Sequence, residues 1–174
     1  MKSTRTLALL AMGAALALFR LPAVADDAAK AVCPVSGHPV AANAPTTHVN
    51  GQAVGFCCDK CPAAFMADPE KFAAKMSLKC PVMTSNGVKP AKNLRLAVNN
   101  GYVYTCCAGC PAAFLKSPEK YVKELKDPVS GQMFKLSAGA PHVTYKGAHF
   151  YFASAENKAA FEAAPDKYAK VLGS

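Results

Sequence analysis

Six of the eight cysteines fall in two short clusters, Cys57-Cys58-Asp59-Lys60-Cys61 and Cys106-Cys107-Ala108-Gly109-Cys110, while Cys33 and Cys80 stand upstream of them. Each cluster packs three thiols into five positions ahead of a Pro-Ala-Ala-Phe run that reads as the opening of a helix. Thiols held that close imply a metal, a disulfide or a reactive centre. In the metal reading, a C-x3-C pair at a helix start converges with a third cysteine from a turn about 25 residues upstream, the layout of a treble-clef-like site. The candidate sets are Cys33, Cys57 and Cys61, and Cys80, Cys106 and Cys110. Cys58 and Cys107 form an alternative C-x2-C with the same partners. A helix N-terminus favours thiolate over thiol through its dipole and free N–H groups. In the disulfide reading the same C-x2-C pairs are oxidised, either as structural bridges or as a redox couple. The strand-helix-strand surroundings of a thioredoxin-like fold are missing, and no His follows either pair as c-type haem attachment requires. With no Ser/His/Asp set, carboxylate pair or phosphate loop, nothing points to an enzyme.

The elements that must position these thiols recur along the chain. Cys33-Pro34-Val35-Ser36-Gly37, Cys80-Pro81-Val82-Met83-Thr84 and Asp127-Pro128-Val129-Ser130-Gly131 open three segments at a spacing of 47 residues. Each continues into two short β-branched or aromatic runs about Asn50-Gly51, Asn100-Gly101 or Lys146-Gly147, which read as β-hairpins. A helix carrying Phe65, Phe114 or Phe161 follows, then a second short helix opened by Pro69, Pro118 or Pro165. The expected fold is therefore α+β, three tandem hairpin-plus-helix, treble-clef-like repeats: 33–79, 80–126 and 127–174. Units this small need a metal, disulfides or a neighbour to be stable. The third has no cysteine; Ala153, Ser154 and Asn157 stand where the second has Cys106, Cys107 and Cys110. It holds seven of the fifteen Phe and Tyr residues, and burying one such ring contributes about 2–3 kcal/mol. It reads as a structural unit stabilised by aromatics where a metal would otherwise serve. Ser154 reads as a helix N-cap, which places Cys58 and Cys107 near the cap and Cys61 and Cys110 in the first turn.

Lys2 and Arg5, the apolar run Thr6 to Phe19 and Ala23-Val24-Ala25 together read as a signal peptide over residues 1–25, cleaved after Ala25. The run is too short to span a bilayer. Residues 26–32 read as a flexible leader. Export to the periplasm or beyond is expected, with no membrane insertion after cleavage. Cleavage would lower the net charge of +9 by three, and the remaining lysines are scattered singly, so no nucleic-acid surface is indicated.

The runs Asp127-Pro128-Val129-Ser130-Gly131 and Tyr151-Phe152-Ala153-Ser154-Ala155-Glu156-Asn157 resemble the YHS domain, whose pattern is D-P-V-C-G followed by a hairpin and Y-F-C-S-x-x-C. The first two repeats resemble the same family and its relative, the TRASH domain. The resemblance implies thiolate coordination of copper or zinc and a place beside metal transporters or other periplasmic metal proteins. Cys33 and Cys80 occupy the family's Asp position, and Ser36 and Met83 its first Cys position. Met83 is a candidate thioether ligand with packing as the favoured alternative; His38 is a weaker candidate in the first repeat, and His48, His142 and His149 read as ordinary strand residues. All eight cysteines are candidate ligands, for Cu(I) in preference to Zn(II) because an all-sulfur set suits a soft ion.

Overall fold

The computed structural model describes residues 31–170. The expected signal peptide, the start of the leader and the last four residues lie outside the described residues. Ala31 and Val32, the end of the leader, are tied into the first loop: Val32 bridges Pro39, and the Ala31 carbonyl accepts from the Val40 N–H at 2.8 Å.

Three antiparallel hairpins make up the main sheet: β1 (Thr46–Val49) with β2 (Gln52–Gly55), β3 (Arg95–Val98) with β4 (Gly101–Tyr104), and β7 (His142–Tyr145) with β8 (Ala148–Tyr151). A separate short hairpin pairs β5 (Glu124–Lys126) with β6 (Met133–Lys135) around the Asp127–Gly131 turn. Two-residue turns close the main hairpins with both residues at positive φ: Asn50 and Gly51 at 51° and 79°, Lys146 and Gly147 at 47° and 81°. These left-handed values match the right-handed twist of the flanking strands and favour Asn and Gly. In the middle hairpin the turn is Asn99-Asn100, at 44° and 60°, and Val98 pairs with Gly101. The expected Asn100-Gly101 turn is thus one residue late. Gly101 is needed in β4 for another reason, since a Cβ there would meet the His48 carbonyl oxygen of β1.

That close approach joins the hairpins into one six-stranded sheet of order β2-β1-β4-β3-β8-β7. The junctions are parallel and one residue pair long, Val49 with Tyr102 and Val98 with His149. Each main hairpin leads into a helix: α1 (Lys60–Ala67), α3 (Gly109–Lys116) and α4 (Ala155–Ala163), burying Phe65, Phe114 and Phe161. The expected second helix exists as α2 (Pro69–Ala73) and α5 (Pro165–Tyr168), but after α3 only one 3-10 turn, Pro118–Lys120, forms. Ser117 makes no side-chain cap there, whereas Asp68 caps α2 by accepting from the Lys71 N–H.

Core packing crosses from one hairpin-helix unit to the next. Tyr102 and Tyr104 of the second hairpin pack with Phe56, Phe65 and Phe72 of the first unit. Tyr151 of the third packs with Val103 and Phe114 of the second. Arg95 adds an ion pair to Glu70 at 2.7 Å and lies over the Tyr102 ring at 4.8 Å. Each unit thus gains apolar burial from its successor, as small units require. The third instead closes on itself: Phe161 contacts Tyr145, Phe150, Phe152 and Tyr168 with centroids 4.6–6.3 Å apart. Among the described residues no helix is long and apolar enough to cross a membrane.

Candidate metal centres

The upstream arm of each site is a tight turn. In the first, the Cys33 N–H donates to the His38 carbonyl at 2.9 Å, and the Gly37 N–H returns to the Cys33 carbonyl at 2.8 Å, with Gly37 left-handed at φ 77°. In the second, the Cys80 N–H donates to the Asn86 carbonyl at 3.0 Å, and the Met83 N–H points at Cys80 Sγ at 3.5 Å. Both turns aim the cysteine inward, so that Cys33 and Cys80 are fully buried. The downstream arm begins where β2 or β4 ends and the chain turns into a helix. Cys57 and Cys106 sit at that bend, and Cys61 and Cys110 are the second residues of α1 and α3.

The arms meet. The sulfurs of Cys33, Cys57 and Cys61 all lie within 4.8 Å of one another, as do those of Cys80, Cys106 and Cys110. Cys57 and Cys61 are 3.7 Å apart, Cys106 and Cys110 3.8 Å. Thiolates sharing an ion at a metal–sulfur bond of about 2.3 Å stand ~3.8 Å from one another, so each helix-start pair already has ligand spacing. The donor set therefore fits a thiophilic ion. The upstream cysteine, three positions ahead of the family's first Cys, still reaches the site because the turn carries it inward. Ser36, at the family's Cys position, stands 3.1 Å from Cys57 Sγ.

Cys58 and Cys107 lie outside these triads and are exposed. Their sulfurs approach Cys61 and Cys110 at 3.4 and 3.2 Å, and all eight cysteines are free thiols. Met83 is 47% exposed, which removes it from the core packing expected of it; its sulfur accepts from Asn86 Nδ2, which also faces Cys106 Sγ at 3.8 Å. Neither triad includes His38 or any other imidazole.

Electrostatics divide each triad. Burial pushes the Cys33 thiol up, but the Ser36 hydroxyl and the N–H groups of Cys57, Ser36 and Val35 outweigh it and bring it down to about 6. Hydrogen bonding to Cys58 and burial push Cys61 up to about 12. In the second triad Cys80 is likewise lowered, its burial outweighed by the N–H groups of Met83, Cys106 and Val82; burial and Cys107 push Cys110 up to about 12. In each site the upstream cysteine thus gives up its proton more readily than the cysteine in the helix, and a cation would supply the charge that lets the latter ionise.

The third unit holds the same gap closed without sulfur. Asp127, at the position of Cys80, is buried and accepts from the Val129 and Ser130 N–H groups at 2.8 and 3.0 Å through one oxygen. Through the other it accepts from the Ala153 N–H at 2.8 Å and Asn157 Nδ2 at 3.0 Å. Burial opposes ionisation, but these donors outweigh it and hold the carboxyl below its ordinary range. A hydrogen-bonded carboxylate therefore links the turn to the helix start, in addition to the aromatics expected to stabilise this unit. Sequence reasoning missed this bridge, although Asp127 and Asn157 both stand at ligand positions of the other units. Ser154 caps α4 as expected, accepting from the Asn157 N–H at 3.2 Å. Helices α1 and α3 begin one residue later than that alignment implies and have no side-chain cap.

A comparison with curated proteins finds no match, and neither does one with solved structures. Residues 125–171, the span from β5 past α5 that contains the Asp127 bridge, match the family model of the YHS domain.

Proposed function

We propose that this chain is an exported metal-binding protein built of three tandem YHS/TRASH-like units, the first two each holding one thiophilic ion. The observation that carries the reading is the convergence of three cysteines, two of them buried, at equivalent places in two units. Cu(I) is preferred over Zn(II): soft thiolates suit Cu(I), while a structural zinc site takes four ligands and each triad offers three. Cys33 and Cys80 anchor the ion from the buried side, and the helix-start pairs complete the set. Cys58 and Cys107 place an exposed thiol beside each buried triad, one ligand exchange from the ion. This arrangement suits capture, buffering or delivery of metal to a transporter or another periplasmic metal protein better than catalysis.

A second reading has its own support. The C-x2-C sulfurs, at 3.4 and 3.2 Å, are closer than the C-x3-C sulfurs. Oxidation of Cys58 with Cys61, or Cys107 with Cys110, would make a thiol-disulfide or disulfide-stabilised interaction module and remove one ligand from each triad. The mature chain, purified from its native compartment, separates the readings through free-thiol titration and metal analysis. About two ions per chain with all thiols reduced is expected. Cys61→Ser and Cys110→Ser should each remove about one ion, while Asn157→Ala should remove none. Disulfides with no metal uptake after reduction and addition of Cu(I) or Zn(II) would overturn the metal reading.

A further inference from the structure

Asn50 belongs to the first hairpin, yet its side chain bonds the backbone just ahead of the two thiol-bearing arms of the second unit, at Lys79 and Tyr104. Its Nδ2 donates to the Lys79 carbonyl at 2.8 Å and the Tyr104 carbonyl at 3.0 Å, and its Oδ1 accepts from the Tyr104 N–H at 2.6 Å. Lys79 immediately precedes Cys80, and Tyr104 lies two residues before Cys106. One amide therefore ties together the two backbone segments that deliver the upstream and downstream thiols of the second triad. The Asn50 N–H adds a bond to the Tyr102 carbonyl at 2.9 Å.

Asn99 does the same for the third unit. Its Nδ2 donates to the Lys126 and Tyr151 carbonyls at 3.1 and 2.7 Å, and its Oδ1 accepts from the Tyr151 N–H at 2.7 Å. Lys126 precedes Asp127 and Tyr151 lies two residues before Ala153, so this brace frames the carboxylate bridge instead of a thiol site. The third hairpin has Lys146 at this turn position, paired with Asp166 at 2.8 Å. In the first unit the corresponding backbone positions are Val32 and Gly55, which pair with Pro39 and Thr46.

We infer that Asn50 is a positioning residue for the second metal site: from the neighbouring unit, its amide sets the distance between the Cys80 turn and the Cys106 bend. The inference rests on the reading of the cysteine triads as metal sites. The ion does not touch Asn50, but binding needs both arms at ligand spacing, and a brace that holds them there reduces the ordering left for the ion to impose. By linkage, an ion in the second site tightens the same junction, so the Tyr104 amide should exchange more slowly once the site is loaded.

The test uses the full mature chain carrying Cys61→Ser, so that bound metal reports the second site. Under reducing, anaerobic conditions Cu(I) is competed against bicinchoninate for this parent and for the parent with Asn50→Gly or Asn99→Gly. Glycine keeps the left-handed turn and removes only the amide. Asn50→Gly should weaken Cu(I) binding by about tenfold or more, and Asn99→Gly by less than about twofold, although each loses a comparable brace. In the opposite background, Cys110→Ser, Asn50→Gly should leave the first site unchanged. Equal affinity of parent and Asn50→Gly would overturn the inference alone, as would equal weakening by Asn99→Gly, which would mark a general loss of stability. A parent that takes up no ion would overturn the metal reading as well. If Asn50→Gly does not fold, Asn50→Asp, which keeps the shape and loses the Nδ2 donor, replaces it with the same expected outcomes.

Discussion

Asp127→Ala gives the most direct measure of how far a hydrogen-bonded carboxylate does the work of a metal. Four donors converge on this side chain at 2.8–3.0 Å. Two of them, the Val129 and Ser130 N–H groups, belong to its own turn, where Ser130 is exposed and water can replace the carboxylate. The other two, from Ala153 and Asn157, cross from turn to helix start and are the ones whose loss opens the unit. Hydrogen bonds to a charged group contribute about 1.5–3 kcal/mol each, and partial rehydration favours the lower figure, so the two crossing bonds together imply about 3 kcal/mol. In a two-state transition of a chain this size, that lowers Tm by about 6–12 °C. Asp127→Asn should cost nearly as much, because an amide oxygen turned to the Val129 and Ser130 N–H groups presents its NH2 to the Ala153 and Asn157 donors. The folded carboxyl lies below its ordinary value of 3.8. Its stabilisation is therefore present above the unfolded pKa and is lost as pH falls through the folded one. Urea unfolding of the reduced, metal-free chain at pH 7 and pH 3 measures both effects. A cost below about 1 kcal/mol at pH 7, or the same cost at pH 3, would refute the bridge.

Two further outcomes follow from particular contacts. With Cys33 brought down to about 6 and Cys61 pushed up to about 12, an ion entering the first site displaces a proton from Cys61 throughout the usual range, and one from Cys33 only below about pH 6. Affinity should fall with falling pH, and log K against pH, measured in a Cys110→Ser chain, should steepen by about one unit below pH ~6; a constant slope would contradict the ionisation of Cys33. Gly101→Ala drives a Cβ into the His48 carbonyl at the β1–β4 junction. It should cost about 1–3 kcal/mol and broaden the Asn50 and Tyr102 amide signals, whereas an unchanged unfolding midpoint would show that the junction yields easily.

Local chemistry was legible along the chain because it depends on neighbours a few positions apart. The thiol spacing, the Asn and Gly turn residues, the Pro helix starts and the Ser154 cap each state a short-range preference, and the structure uses them nearly as read. The candidate triads were legible in part: C-x3-C spacing with an upstream cysteine offered Cys33, Cys57 and Cys61 and Cys80, Cys106 and Cys110, but the competing C-x2-C sets through Cys58 and Cys107 could be separated only by the side-chain geometry. Boundaries shifted where a tertiary contact outweighed the local signal: Gly101 looked like a turn residue, yet its missing side chain admits the His48 carbonyl, and the turn moved back to Asn99-Asn100. The residues before Cys33 read as loose leader, but Val32 is held by Pro39.

What only the tertiary structure decided is how units meet. Residue types alone do not reveal that the amide of Asn50 reaches past its own hairpin to the chain around Cys80 and Cys106, or that the Asp127 carboxylate spans its turn and helix start. Both depend on side chains meeting chain segments more than 20 positions away, and the Asn50 contact depends also on a one-pair parallel junction between hairpins that carries no composition signal. The sequence therefore determined which groups could bind an ion, and the packing of one unit on the next determined how those groups are held.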